Sequence, residues 1–160
     1  MVPLNNLAFI RFKNKRAQND FQEIPTELRA IIFWISSYAG YYLGQTFITI
    51  TRIREPLSEG KFETGIHVLG RAIDFRDEYQ SANGRIHCFS SAQKEELLQM
   101  TAVRFPRNDG KLTLLHHSVN NEPEHFHLQI PFSSLTKEEI RKETQYALQN
   151  NKPAKEITNG

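Results

Sequence analysis

The sequence predicts an α+β fold, with helices packed against a small, largely antiparallel sheet in one domain. Three patterns carry that reading. Leu28, Ile31, Ile32, Ile35 and Tyr38 recur at helical spacing, residues 47–54 alternate with β-branched side chains, and residues 112–116 and 126–130 read as the two strands of a hairpin. The chain has 160 residues, enough for one domain with a sizeable core and too few for two full ones. We assign residues 1–150 to the domain and expect 151–160 to be a frayed tail.

The elements follow in order. Residues 7–12 alternate loosely and predict a short strand, followed by a basic, polar stretch over 13–20. Pro25, Thr26 and Glu27 open a helix that the glycines at 40 and 44 would end. The strand over 47–54 leads into a polar loop, 55–65, with one proline and two glycines. Residues 71–76 predict a strand whose small and apolar side chains face inward, and Asn83-Gly84 marks a turn. Ser91 is the expected N-cap of a helix over 92–102 that buries Leu97, Leu98 and Met100. The polar loop 118–124 joins the hairpin strands, and Thr136-Lys137-Glu138-Glu139 is a capping box for a last helix through Leu148.

Composition excludes several classes. Hydrophobic residues make up 39% and charged residues 24%, an ordinary globular balance. The formal net charge of +2 is too small to argue for nucleic acid. The most apolar stretch, 31–35, is too short to span a bilayer, so no stable membrane insertion is expected. The N-terminus lacks the pattern of a secretory signal, so synthesis in the cytoplasm is expected. A single cysteine, Cys88, forbids an intramolecular disulfide and reads as a small, semi-buried side chain. A monomer is expected.

The six histidines are unevenly placed: His67 and His87, then His116, His117, His125 and His127 within a dozen residues. Strand alternation sends His125 and His127 to one sheet face. Two imidazoles there are costly in a core and natural in a metal site, and a catalytic zinc needs three protein ligands. The segment His67-Val68-Leu69-Gly70-Arg71-Ala72-Ile73-Asp74 can supply the third. Gly70 permits a turn, Ala72 leaves space, and Asp74 sits mid-strand, where a carboxylate is costly unless a cation neutralises it.

Residues 65–74, Gly65-Ile66-His67-Val68-Leu69-Gly70-Arg71-Ala72-Ile73-Asp74, resemble the S-x-H-x-x-G-x-A-x-D motif of a family of zinc peptidases. These are the D-alanyl-D-alanine carboxypeptidases and L-alanyl-D-glutamate endopeptidases, which include phage endolysins and have hedgehog signalling domains as distant relatives. Glu124-His125-Phe126-His127 is similar to the family's acid-x-x-His overlapping His-x-His. The resemblance implies Zn²⁺ held by His67, Asp74 and His127, Glu124 as general base, and His125 beside the metal, polarising the substrate. It also implies a site arginine at the end of the preceding strand. Arg54, followed by Glu55-Pro56, fits the family's R-x-P ending, and Arg52 is the alternative. Gly65 stands where the family has serine. The implied activity is hydrolysis of peptide bonds in bacterial cell-wall (peptidoglycan) peptides, of the carboxypeptidase or endolysin type.

Two rival readings compete. One is a module of the same fold that binds zinc or cell-wall peptide without cutting it. The other is a metal nuclease built on His116, His117, Asn120, Asn121 and His127, which leaves His67 and Asp74 unexplained. For the remaining histidines, one of His116 and His117 is expected at the site's rim and the other in solvent. His87 and its neighbour Cys88 should face opposite ways.

Overall fold

The computed structural model describes residues 9–45, 47–55, 66–67, 69–117, 124–131, 136–138 and 141–142. In chain order the elements are β1 (Ile10–Phe12), α1 (Lys15–Phe21), α2 (Thr26–Tyr42), β2 (Ile48–Arg52), β3 (Ala72–Arg76), β4 (Glu78–Ser81), β5 (Gly84–His87), α3 (Ser91–Arg104), β6 (Leu114–His117) and β7 (His125–Gln129). Residues 7–8, most of the predicted loop at 55–65, most of the hairpin loop at 118–124, most of the predicted last helix and the tail lie outside the described residues.

The fold is the expected α+β domain, with a five-stranded sheet ordered β1-β2-β3-β7-β6. Most neighbours pair antiparallel; the exception is β1 with β2, so the sheet is mixed. The chain between those two strands runs through α1 and α2, and a helical crossover returns the second strand in the direction of the first. The turn at Asn83-Gly84 closes the separate β4–β5 hairpin, in which Ser81 pairs with Gly84.

Local chemistry explains each helix. The polar stretch at 13–20 is helical because Asn14 caps α1, its side chain accepting from the Ala17 N–H at 2.9 Å, while Ala17 and Phe21 bury one face. In α2 the stripe Leu28, Ile31, Ile32 and Ile35 is buried, as its spacing requires, and Gly44 beyond the helix takes φ +70°. Ser90, one residue earlier than expected, caps α3 in a reciprocal box with Gln93, and that helix runs on to Arg104.

One sheet face meets the helices. Ile48, Ile50, Ile73, Phe75, Phe126, Leu128 and Leu114 form one cluster with Phe21, Leu28, Ile32, Ile35 and Leu97. The rings of Phe75 and Phe126, paired across β3 and β7, stack at 4.8 Å. Alternation then turns Asp74, His125, His127 and Gln129 to the opposite face.

Candidate metal site

The first motif works through its backbone. The Gly70 N–H donates to the His67 carbonyl at 2.9 Å and the Arg71 N–H to the Ile66 carbonyl at 3.1 Å, closing a tight turn at the mouth of β3. Gly70 takes φ +67°, a conformation that L side chains avoid. A Cβ there would meet nothing nearer than 3.5 Å, so the dihedral angle, not space, calls for glycine. This turn aims His67 back at β3, where Ala72 and Asp74 lie on the same face two residues apart. In the sheet register Asp74 is opposite His127.

Three donor atoms therefore converge. His67 Nε2 lies 3.2 Å from His127 Nδ1 and 3.2 Å from Asp74 Oδ1, and His127 Nδ1 lies 2.9 Å from the same oxygen. All three residues are buried, with 4%, 3% and 7% of their surface exposed. The ligand atoms of a tetrahedral ion with bonds of ~2.0–2.1 Å stand about 3.3–3.4 Å apart, so this triangle is nearly one face of such a tetrahedron.

The outer nitrogens fix the tautomers. His67 Nδ1 faces the Ile53 carbonyl at 2.9 Å, so it carries the hydrogen and leaves Nε2 bare. The Gln129 amide donates to the Leu112 carbonyl at 2.9 Å, which turns its oxygen toward His127 Nε2 at 3.3 Å. His127 then presents the bare Nδ1. Two imidazole lone pairs and a carboxylate oxygen meet at one point, and only a cation, an added proton or a metal ion, relieves their repulsion. Metal-binding histidines are anchored in just this way, by a carbonyl or amide oxygen on the far nitrogen. His67, Asp74 and His127 could hold a metal ion. Burial alone would raise the Asp74 pKa, but the neighbouring His67, His127 and Arg52 outweigh it and hold the carboxyl well below its ordinary range.

Arg52 is the arginine at this site; its Nε reaches Asp74 Oδ2 at 3.1 Å. Strict alternation would place Arg52 with the core residues Ile48 and Ile50. The pairing of β2 with β3 slips between Ile50 and Arg52, and this irregularity turns Arg52 to the site face. Arg54 stands next to the His67 turn: its backbone N–H binds the Asp20 carboxylate at 3.2 Å, and its side chain runs beside Gly70. His125 does lie beside the triad, with Nε2 3.6 Å from Asp74 Oδ2.

Glu124 is not brought to the triad. Three is an odd offset, so a residue three before His127 falls on the opposite side of the strand. Its carboxylate joins Asp77, Glu78 and His87 in a second group whose ligand atoms lie within 4.8 Å of one another. Lys94 Nζ already sits 2.9 Å from Asp77 Oδ2, and His116 Nε2 binds the same oxygen at 2.8 Å. This group thus has its own cation.

The remaining histidines divide by parity. His117 overlies the site, its ring 4.9 Å from that of His125 and 5.3 Å from that of His127. Burial, then repulsion from His125 and His127, lowers its pKa against the pull of Asp74. His116 points the other way but not into solvent, packing on Phe126 and binding Asp77. The grouping of His116, His117 and His127 therefore does not assemble; Asn120 and Asn121 lie outside the described residues. His87 turns to Asp77 and Glu78 while Cys88 packs against the core, as alternation requires.

Sequence reasoning missed Gln129 and left Arg52 as the alternative to Arg54. Gln129 was open to discovery, being two residues beyond His127 on the same face; Arg52 depends on a register slip that no spacing rule shows. Among known proteins, no family model matches the chain, no curated protein matches its sequence and no solved structure matches its fold. Among the described residues no helix is long and apolar enough to cross a membrane.

Proposed function

We propose that this protein is a zinc-dependent hydrolase of peptide bonds, with bacterial cell-wall peptides as its substrates. The observation that carries the reading is the triangle of His67 Nε2, His127 Nδ1 and Asp74 Oδ1, with each outer imidazole nitrogen anchored by an oxygen. Two imidazoles and one carboxylate suit zinc and leave a coordination position for chemistry. Zinc bound there would supply Lewis acidity, lowering the pKa of water toward about 7 and polarising a carbonyl. The two-part motif resemblance narrows the substrate to cell-wall peptides.

The chain's own groups divide the remaining work. Arg52 holds Asp74 through Oδ2, leaving Oδ1 for the cation. His125 Nε2, beside Asp74 Oδ2, would take the proton of the attacking water and pass it to the leaving amine. His117 packs against His125 and orients it. Glu124, the base that the resemblance implies, has no part here because it stands with Asp77.

The test is digestion of defined muropeptides by zinc-loaded protein, with fragments read by mass spectrometry. Hydrolysis should occur and should stop on chelation. His125→Ala should lose about 10²–10⁴-fold in turnover with zinc retained, whereas Glu124→Gln should stay near wild type. The reverse pattern would return the base to Glu124. A second reading, a module that binds zinc or wall peptide without cutting, draws on that same displacement of Glu124; full zinc loading with no cleavage of any muropeptide would favour it.

A further inference from the structure

The group of Asp77, Glu78, His87 and Glu124 lies on the helix side of the sheet, apart from the triad. Its centre, Asp77, is reached by His116, which packs on the core ring of Phe126, and by Lys94 of α3. Asp77 has no exposed surface, yet both of these bind Oδ2, and Oδ1 has no hydrogen-bond partner among the described residues. A buried carboxylate oxygen left so is costly, and a bound ion is one of the few arrangements that relieve it.

The donors around that oxygen favour an ion over a water. Asp77, Glu78, His87 and Glu124 each bring a ligand atom, all within 4.8 Å of one another, the reach of a single six-coordinate ion with bonds of ~2.0–2.6 Å. His87 Nε2 stands 3.4 Å from Glu78 Oε1, while Nδ1 lies on the side of Asp77 and Lys94. Three carboxylates meet one ammonium here, so Lys94 answers one of three formal charges. The side chains of His87 and Glu124 are each 48% exposed, which opens the group to solvent.

We propose that these four residues hold a second divalent cation, separate from the zinc triad. Carboxylates suit magnesium, calcium and manganese, and imidazole suits first-row transition metals; manganese is the ion that meets both preferences. Bound there, it ties Glu124, just ahead of β7, to the β3–β4 junction and to the end of β5. It thereby steadies the strand that carries His125 and His127, and the site stands whether or not the triad hydrolyses peptides.

The experiment adds manganese to the full, zinc-loaded chain and follows the electron paramagnetic resonance signal of free Mn²⁺. Zinc, the tighter binder, holds the triad against it. One further equivalent per chain should bind. His87→Gln and Glu124→Gln, both at half-exposed side chains, should each weaken that binding by at least about ten-fold with zinc content unchanged. Asp74→Asn, which loses the zinc site, should still bind manganese. Manganese at about 100-fold above its Kd should raise the Tm of the zinc-loaded chain by about 5–10 °C, a rise that Glu124→Gln should lose. No binding by the zinc-loaded chain, or equal binding by wild type and the two variants, overturns the proposal. Loss of manganese in Asp74→Asn overturns it too, by placing the ion at the triad.

Discussion

At Asp74 a single carboxylate serves two sets of partners, with Oδ1 toward His67 and His127 and Oδ2 toward Arg52 and His125. Removing its charge should remove the metal. Asp74→Asn keeps the shape, and elemental analysis should find less than a tenth of the wild-type zinc; stoichiometric zinc in that variant would refute the ligand set. Arg52 acts by holding Asp74, so Arg52→Gln should weaken zinc affinity by about 10–100-fold, measured by competition with a chelating dye. At Gly70 the argument is conformational. Alanine fits the space but not φ +67°, so Gly70→Ala should cost about 1–2 kcal/mol in urea denaturation, with the m-value unchanged.

Between elements, the sheet is tied to α3 through Asp77, at the β3–β4 junction. Its carboxylate is fully buried and receives Lys94 from α3 and His116 from β6. Burial pushes its pKa up, but the hydrogen bonds and charges of Lys94 and His116 outweigh that and leave it below the ordinary value. A depressed folded pKa means that this carboxylate stabilises the fold above the unfolded value of ~3.9, and that the contribution is lost as pH falls through the folded pKa. Asp77→Asn should therefore be about 3–5 kcal/mol less stable than wild type near pH 7, the usual cost of breaking a buried ion pair. The gap should narrow below about pH 4. A gap that stays constant from pH 7 to pH 3 in chemical denaturation would show that the charge is irrelevant.

For the whole molecule, the site spans parts of the chain far apart in sequence: the turn at His67, β3 with Asp74, and β7 with His127. A metal bound to this arrangement and not to the unfolded chain adds stability by mass action, about 2.7 kcal/mol at free zinc 100-fold above Kd. In a chain of 160 residues that corresponds to a fall in Tm of about 5–10 °C on chelation. An unchanged Tm after complete zinc removal would mean that the triad is held by its own hydrogen bonds alone.

The sequence by itself determined the α+β class and the α2 stripe, which follow from short periodicities that act within a few residues; the grouping of His67 and Asp74 with His127 was what the two-part motif resemblance implied. The sequence did not show α1, because a polar surface hid the cap at Asn14 and the apolar pair Ala17 and Phe21. Tertiary structure alone decided three things: that β1 runs parallel to β2, that Arg52 rather than Arg54 reaches Asp74, and that Glu124 stands with Asp77. The first follows from the helical crossover between the two strands, and the other two depend on where residues fall relative to the strand register. A slip of one residue in β2 exchanges faces, and Glu124, just ahead of β7, groups with Asp77 and not with the ligand it was expected to serve.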